Sequence, residues 1–146
     1  MTHLVDMSIR IEAEPAVVFE FFTDPEKMVR WKGTKALLDP RPGGEYRVDV
    51  TDLQIAVGEY VEIVPPERVV FTWGWEGNDG VPPGSTRVEI TLTADGDGTV
   101  VRLLHTDLPT EEAAARHSQG WDHFLARLQV AAAGGDPGTD PLLIQQ

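Results

Sequence analysis

The chain runs through a succession of segments with period-two alternation and then closes on one long helical segment, and that order limits the folds open to it. From Thr110 to about Ala133, the residues Ala114, His117, Trp121, Phe124, Leu125 and Leu128 share one helical face. Upstream, Val5, Met7, Ile9 and Ile11 alternate strictly in "LVDMSIRI", as do Tyr46, Val48 and Val50 in "EYRVDV". "IAVGEYVEIV" and "RVVFTWGW" are joined by "PPE", and "TRVEITLTA" and "TVVRLLHTDL" flank "DGDG", so each pair reads as an antiparallel hairpin. Between the first strand and the rest, Pro15 suits the first turn of a short helix in which Val18, Phe21 and Phe22 have helical spacing. Asp24 and Pro25 then cap and start a second short helix ending near Trp31. The expected class is α+β: an antiparallel meander with the long helix on one face. Six or seven strands make a sheet roughly 29 Å wide, whereas a helix with its side chains is only about 10–12 Å across. To bury its apolar face on one helix the sheet must curl around it, as small barrels do around one small ligand.

A length of 146 residues suits one domain, 1–134, with 135–146 ("GGDPGTDPLLIQQ" from its second glycine) as a flexible tail whose "LLI" is apolar enough to dock. The formal charge of -12 disfavours phosphate backbones and anionic membranes as partners, so nucleic acid is not expected. Without cysteine there is no disulfide, thiol chemistry or thiolate zinc site. The N-terminus lacks the continuous apolar run of a signal peptide, and no segment approaches the ~20 apolar residues of a membrane span. A cytoplasmic protein with no membrane insertion is the expectation.

Within "RVVFTWGW", Val69, Phe71, Trp73 and Trp75 leave one face of an extended strand. They either fill a core or, beside the irregular 76–85 loop, wall a cavity; Trp75 stands nearest that loop. His105 is in phase with Val101 and Leu103, and is either a ligand donor or general base or a strand-end histidine bonded to backbone. His117, one turn before Trp121, carries the same alternatives. Gly120 in mid-helix costs ~1 kcal/mol against alanine, which close approach to the sheet or space for a ligand should offset. Glu59 shares its phase with Val57, Val61 and Ile63. Facing inward it would need a partner or a proton, and a bulge at Gly58 would turn it outward instead. His3, His105, His117 and His123 lack metal-ligand spacing, and there is no phosphate loop, nucleophile elbow or calcium loop, so no cofactor or metal is expected.

The motifs "AEPAVVFEFFTDPEKMVRW", "DPRPGGEYRVDV", "GEYVEIVPPERVVFTWGW", "TRVEITLTADGDGTVVRLLHTDLP" and "HSQGWDHFLARL", in this order, cover nearly the whole chain. Together they resemble the helix-grip fold of the START-like, birch-pollen-allergen-like superfamily (SRPBCC), in the branch named for the activator of heat-shock protein 90 ATPase. The resemblance implies a curved antiparallel sheet of six or seven strands around the C-terminal helix, with two short helices after the first strand. It turns the aromatic face toward that helix. The cavity lining it implies is Trp31, Tyr46, Val48, Glu59, Val61, Phe71, Trp73, Trp75, Val88, Ile90, Leu103, His105, His117, Gly120, Trp121 and Phe124.

Three functions follow from that resemblance. The leading one is binding of a small hydrophobic or aromatic molecule without catalysis, because inward positions are mostly apolar and no catalytic constellation is visible. The second is an enzyme of cyclase or aromatase type, using His105, Glu59 or His117 as a proton shuttle. The third is a chaperone-contacting module. The activator that names the branch has an additional N-terminal domain, whereas this sequence begins at the first strand, so chaperone contact is the weakest expectation. A homodimer through a sheet edge or "PLLIQQ" is a further one.

Overall fold

The computed structural model describes residues 3–141. Strand β1 (His3–Ile11) leads into two short helices, α1 (Pro15–Glu20) and α2 (Pro25–Met28). Strands β2 (Lys35–Leu38), β3 (Glu45–Asp49), β4 (Ile55–Val64), β5 (Arg68–Trp73), β6 (Thr86–Asp95) and β7 (Gly98–Leu108) precede the long helix α3 (Glu111–Ala132). All seven strands form one antiparallel sheet in the order β1-β7-β6-β5-β4-β3-β2, so β1 and β2 are the edges. This is the expected helix-grip architecture, with the seventh strand supplied by the short β2.

Local chemistry fixes the element ends. The Asp24 carboxylate accepts from the Glu26 amide at the start of α2, and the Thr110 hydroxyl accepts from the Ala113 amide at the start of α3. The β6–β7 turn closes with Asp95 opposite Gly98, and Gly96 takes the left-handed conformation (φ 58°) that such a turn requires. Arg127 on α3 donates to the Trp31, Pro137 and Gly138 carbonyls, and His123 Nε2 lies 2.9 Å from buried Asp140. These contacts lay Pro137, Gly138 and Asp140 against α3. The apolar "LLI" and most of "PLLIQQ" lie outside the described residues.

Helix α3 divides along its length. Leu125, Leu128, Ala131 and Ala132 are buried in its C-terminal half, which packs on β1. Burying each leucine there stabilises the fold by about 1.5–3 kcal/mol. In the N-terminal half Ala114 and His117 are only half-buried, and this end of the helix stands clear of the sheet. No helix among the described residues is long and apolar enough to cross a membrane.

Strand β4 corrects one expectation. Ala56, Gly58 and Tyr60 are its buried positions, so Glu59 and Val61 lie on the exposed outer face and line no interior space. A register shift between Tyr60 and Glu62 then switches the phase, and Ile63 packs against the core. The cause is Gly58. A Cβ there would sit 1.9 Å from the Thr72 carbonyl oxygen, so only glycine admits β5 at that distance. The bulge lies at Val61 rather than at the glycine.

Candidate functional site

Where α3 stands clear of the sheet, a recess of about 940 Å³ opens between its N-terminal half and the end of β5. Trp73 and Trp75 form one wall, and His117, Gly120, Trp121 and Phe124 form the facing one. The loop 76–81 covers a third side. Its fold is locally encoded: Asn78 Oδ1 accepts from the amides of Gly80 and Val81, and Gly74 lets the Pro82 carbonyl approach to 1.7 Å from where a Cβ would stand. The Trp75 amide in turn donates to the Val81 carbonyl, which fixes the loop to the strand.

The aromatic face of β5 is graded along its length. Phe71 belongs to the core, stacked on Tyr46 with ring centroids 4.2 Å apart. Trp73 is also buried but borders the recess, and its Nε1 is a buried donor with no partner among the described residues. Trp75, beyond the strand proper, is half-buried and faces the recess. Phe71 and Trp73 thus pack in the core, and Trp73 and Trp75 border the recess.

Two indole–imidazole bonds cross the site. Trp121 Nε1 donates to His105 Nδ1 at 3.0 Å, so His105 Nε2 carries the proton and donates to Thr86 Oγ1 at 2.8 Å. The Thr86 hydroxyl donates onward to the Trp73 carbonyl. Trp75 Nε1 donates to His117 Nε2 at 3.0 Å, and His117 Nδ1 donates to the Ala113 carbonyl at 2.7 Å. Both histidines are neutral with both nitrogens occupied. Burial chiefly, with His117 and Lys32 adding to it, pushes His105 down to about 3. Burial likewise lowers His117, against the Ala113 carbonyl that favours its protonated form. Neither imidazole can take a proton without releasing an indole, so neither is poised as a general base.

Lys32, which sequence reasoning did not single out, is the unexpected member of the site. It is only 2% exposed and lines the recess. Its Nζ lies 3.8 Å from the Trp73 ring centroid and 4.0 Å from that of Trp121. Burial holds its pKa well below the ordinary lysine value. Gly33, at φ 83°, makes the placement possible, because a Cβ there would meet the Asp49 carbonyl at 2.4 Å. The only sequence signal is a lysine between a tryptophan and a glycine, a pattern too common to find it by.

Of the expected lining, Trp73, Trp75, His117, Gly120, Trp121 and Phe124 border the recess. A Cβ on Gly120 would meet nothing within 4 Å, so this glycine opens space rather than admitting close approach. Trp31, Tyr46, Val48, Phe71, Val88, Ile90 and Leu103 are core residues instead. Trp31 donates Nε1 to the Phe21 carbonyl and does not line the recess itself, its ring standing behind Lys32. His105 reaches the site only through Trp121. Among the described residues no group of three His, Asp or Glu side chains is placed to hold a metal ion.

Residues 12–133 match the family model described as activator of Hsp90 ATPase homolog 1-like protein. An AHSA1-like protein from Rhizobium etli is 48% identical, with a TM-score of 0.78 over 97% of this chain and 88% of that one. CalU16 from Micromonospora echinospora is 26% identical, with a TM-score of 0.74 over 90% of this chain and 76% of that one. A Plasmodium falciparum protein described as an HSP90 activator shares the fold at 21% identity, with a TM-score of 0.74 over 88% of this chain and 95% of that one. No curated protein matches the chain.

Proposed function

The chain belongs to the family of activator of Hsp90 ATPase homolog 1-like proteins, and on that footing we propose that it binds a small hydrophobic or aromatic molecule in the recess between α3 and the end of β5, by binding alone. One observation carries this reading: an open recess of about 940 Å³ walled by Trp73, Trp75, Trp121 and Phe124. Its volume falls in the ~300–1,000 Å³ range of small-molecule sites, and its aromatic wall faces a rim that carries Glu76, Asn78, Asp79, Glu112 and Arg116. The walls are also rigid, since both indoles that donate across the site are held by histidines. Rigid walls lower the ordering cost of binding. A catalytic reading has less support, because the histidines nominated for proton transfer are occupied and Glu59 is on the opposite face.

Native mass spectrometry of the purified protein tests the proposal, with a co-purified small molecule as the expected result. Titration with 2-naphthol, followed by tryptophan fluorescence, should saturate at one equivalent. The Trp75→Ala variant should keep its circular dichroism spectrum and weaken that binding about tenfold or more, the loss of roughly 1.4 kcal/mol of aromatic contact. Protein that is always empty and never saturates with aromatic probes would defeat the reading.

A further inference from the structure

The recess contains an amine that no carboxylate among the described residues answers. Lys32 is buried, and among the described residues the partners of its Nζ are ring faces: Trp73 and Trp121 closely, Trp31 and Phe124 at a greater distance. Among the described residues no carboxylate forms an ion pair with it, and no neighbouring acid holds its proton; burial alone sets its titration. The other cations around the recess are matched differently. Arg116 pairs with Glu112, and Arg47 pairs with Glu76 on the covering loop. In a sequence with 24 acidic residues and 12 basic ones, the amine inside the site faces aromatic rings rather than an acid among the described residues.

Aromatic faces attract an ammonium but do not replace the water oxygens that accept its protons in solution. A second unmet donor, Trp73 Nε1, belongs to the residue against which Lys32 rests. Lys32 Nζ, which opens on the recess, and the buried Trp73 Nε1 thus belong to residues that line one space. Covalent capture of an aldehyde by the amine is the less favoured chemistry. Forming an imine expels water from a carbinolamine, which needs an acid, and both nearby imidazoles are occupied and neutral. A carboxylate needs no such help.

Resting on the binding reading above, we propose that the recess selects ligands bearing a carboxylate on an aromatic or apolar body, with the carboxylate seated on Lys32 Nζ and the body against Trp75 and Phe124. Ligand binding then supplies the counter-charge that the fold withholds, and a neutral ligand of the same shape leaves the amine unanswered.

The probes that test this are 1-naphthylacetate and 2-(1-naphthyl)ethanol, which share a ring system and differ in the anionic group. Both are titrated by calorimetry into the full chain and into Lys32→Met, whose side chain has similar length and no charge. Wild-type protein should bind the acetate at least about tenfold more tightly than the alcohol, the difference between a charge-assisted and a neutral hydrogen bond. In Lys32→Met the two affinities should come within about twofold of each other. Should the wild type bind both probes equally, or the variant keep the preference, the carboxylate assignment falls while the recess remains a binding site. Should neither probe bind the wild type, the binding reading falls and this inference falls with it. The wild-type preference decides the matter even if the variant does not fold.

Discussion

At His105 the fold converts a titratable side chain into a fixed acceptor. The imidazole is fully buried, takes the Trp121 indole proton on Nδ1 and donates from Nε2 to Thr86. His117 on α3 and Lys32 after α2 are the charged or titratable groups facing it. Its pKa falls from 6.5 in the unfolded chain to about 3 in the fold, so below pH 6.5 the unfolded state binds more protons. The stability this neutral histidine allows is complete above pH 6.5 and is lost as pH falls toward 3, by at most about 1.4 kcal/mol per unit. Urea denaturation of wild type and His105→Gln at pH 7 and pH 5 measures the effect. The glutamine amide retains a donor and an acceptor, and its variant should lose less stability on acidification by about one proton's worth. Equal losses in the two proteins would show that His105 does not titrate on unfolding. Lys32 teaches the opposite lesson about reading residues from sequence. Trp73, Trp75, His117, Trp121 and Phe124 were legible because strand and helix periodicity give each side chain a face. Lys32 follows the end of α2, where no period operates, and a lysine there is ordinarily solvated. What turns it inward is a left-handed glycine and the packing of Trp31, both tertiary in origin.

Among the elements, two glycines in the interiors of regular segments should respond oppositely to alanine. Gly120 lies mid-helix with open space where its Cβ would be, so Gly120→Ala should raise stability by up to about 1 kcal/mol through helix propensity. The added methyl would enter the recess, and the binding of 2-naphthol should weaken as stability rises. Gly58→Ala meets the Thr72 carbonyl and must displace the backbone, so it should destabilise by about 2 kcal/mol or more. Thermal denaturation of both variants gives the comparison, and a shift of the same sign in the two would contradict it. Gly58 also marks where element-level reading fails. A glycine inside the inward phase of β4 adds no apolar residue to that phase, so Val57, Val61 and Ile63 made the outer phase look like the core one. Strand β2 was missed for a related reason. "KALL" is four residues long with Leu37 more than half exposed, too short for alternation to register. The curl of the sheet was legible nonetheless, because it follows from widths rather than from any single residue.

Across the whole molecule, the recess lies where α3, packed on the sheet at its C-terminal end, is joined to it at the other through the Trp121–His105 and Trp75–His117 bonds. Anchorage comes from the apolar C-terminal half on β1 and from Arg127, which reaches out of the same half to three carbonyls. One of these carbonyls belongs to Trp31, the residue before Lys32; the others, of Pro137 and Gly138, belong to the segment that follows the helix. Arg127 therefore joins the anchored end of α3, the lysine's backbone and the chain's last described turn. Replacing it by alanine should cost about 1–3 kcal/mol, as the loss of part-buried charge-assisted bonds does. A purely local loss would stop there. Because the Trp31 carbonyl is a direct neighbour of the Lys32 amide, the loss should also reach the site: amide exchange at 32–34 should accelerate in Arg127→Ala, and the preference for naphthylacetate over its alcohol should shrink. Arg127→Lys keeps the charge but cannot span carbonyls on both sides with one planar fork, so it should restore only part of each effect. Unchanged exchange at 32–34 in a destabilised Arg127→Ala protein would uncouple the helix anchor from the lysine, leaving Gly33 and the packing of Trp31 to hold the amine in the recess by themselves.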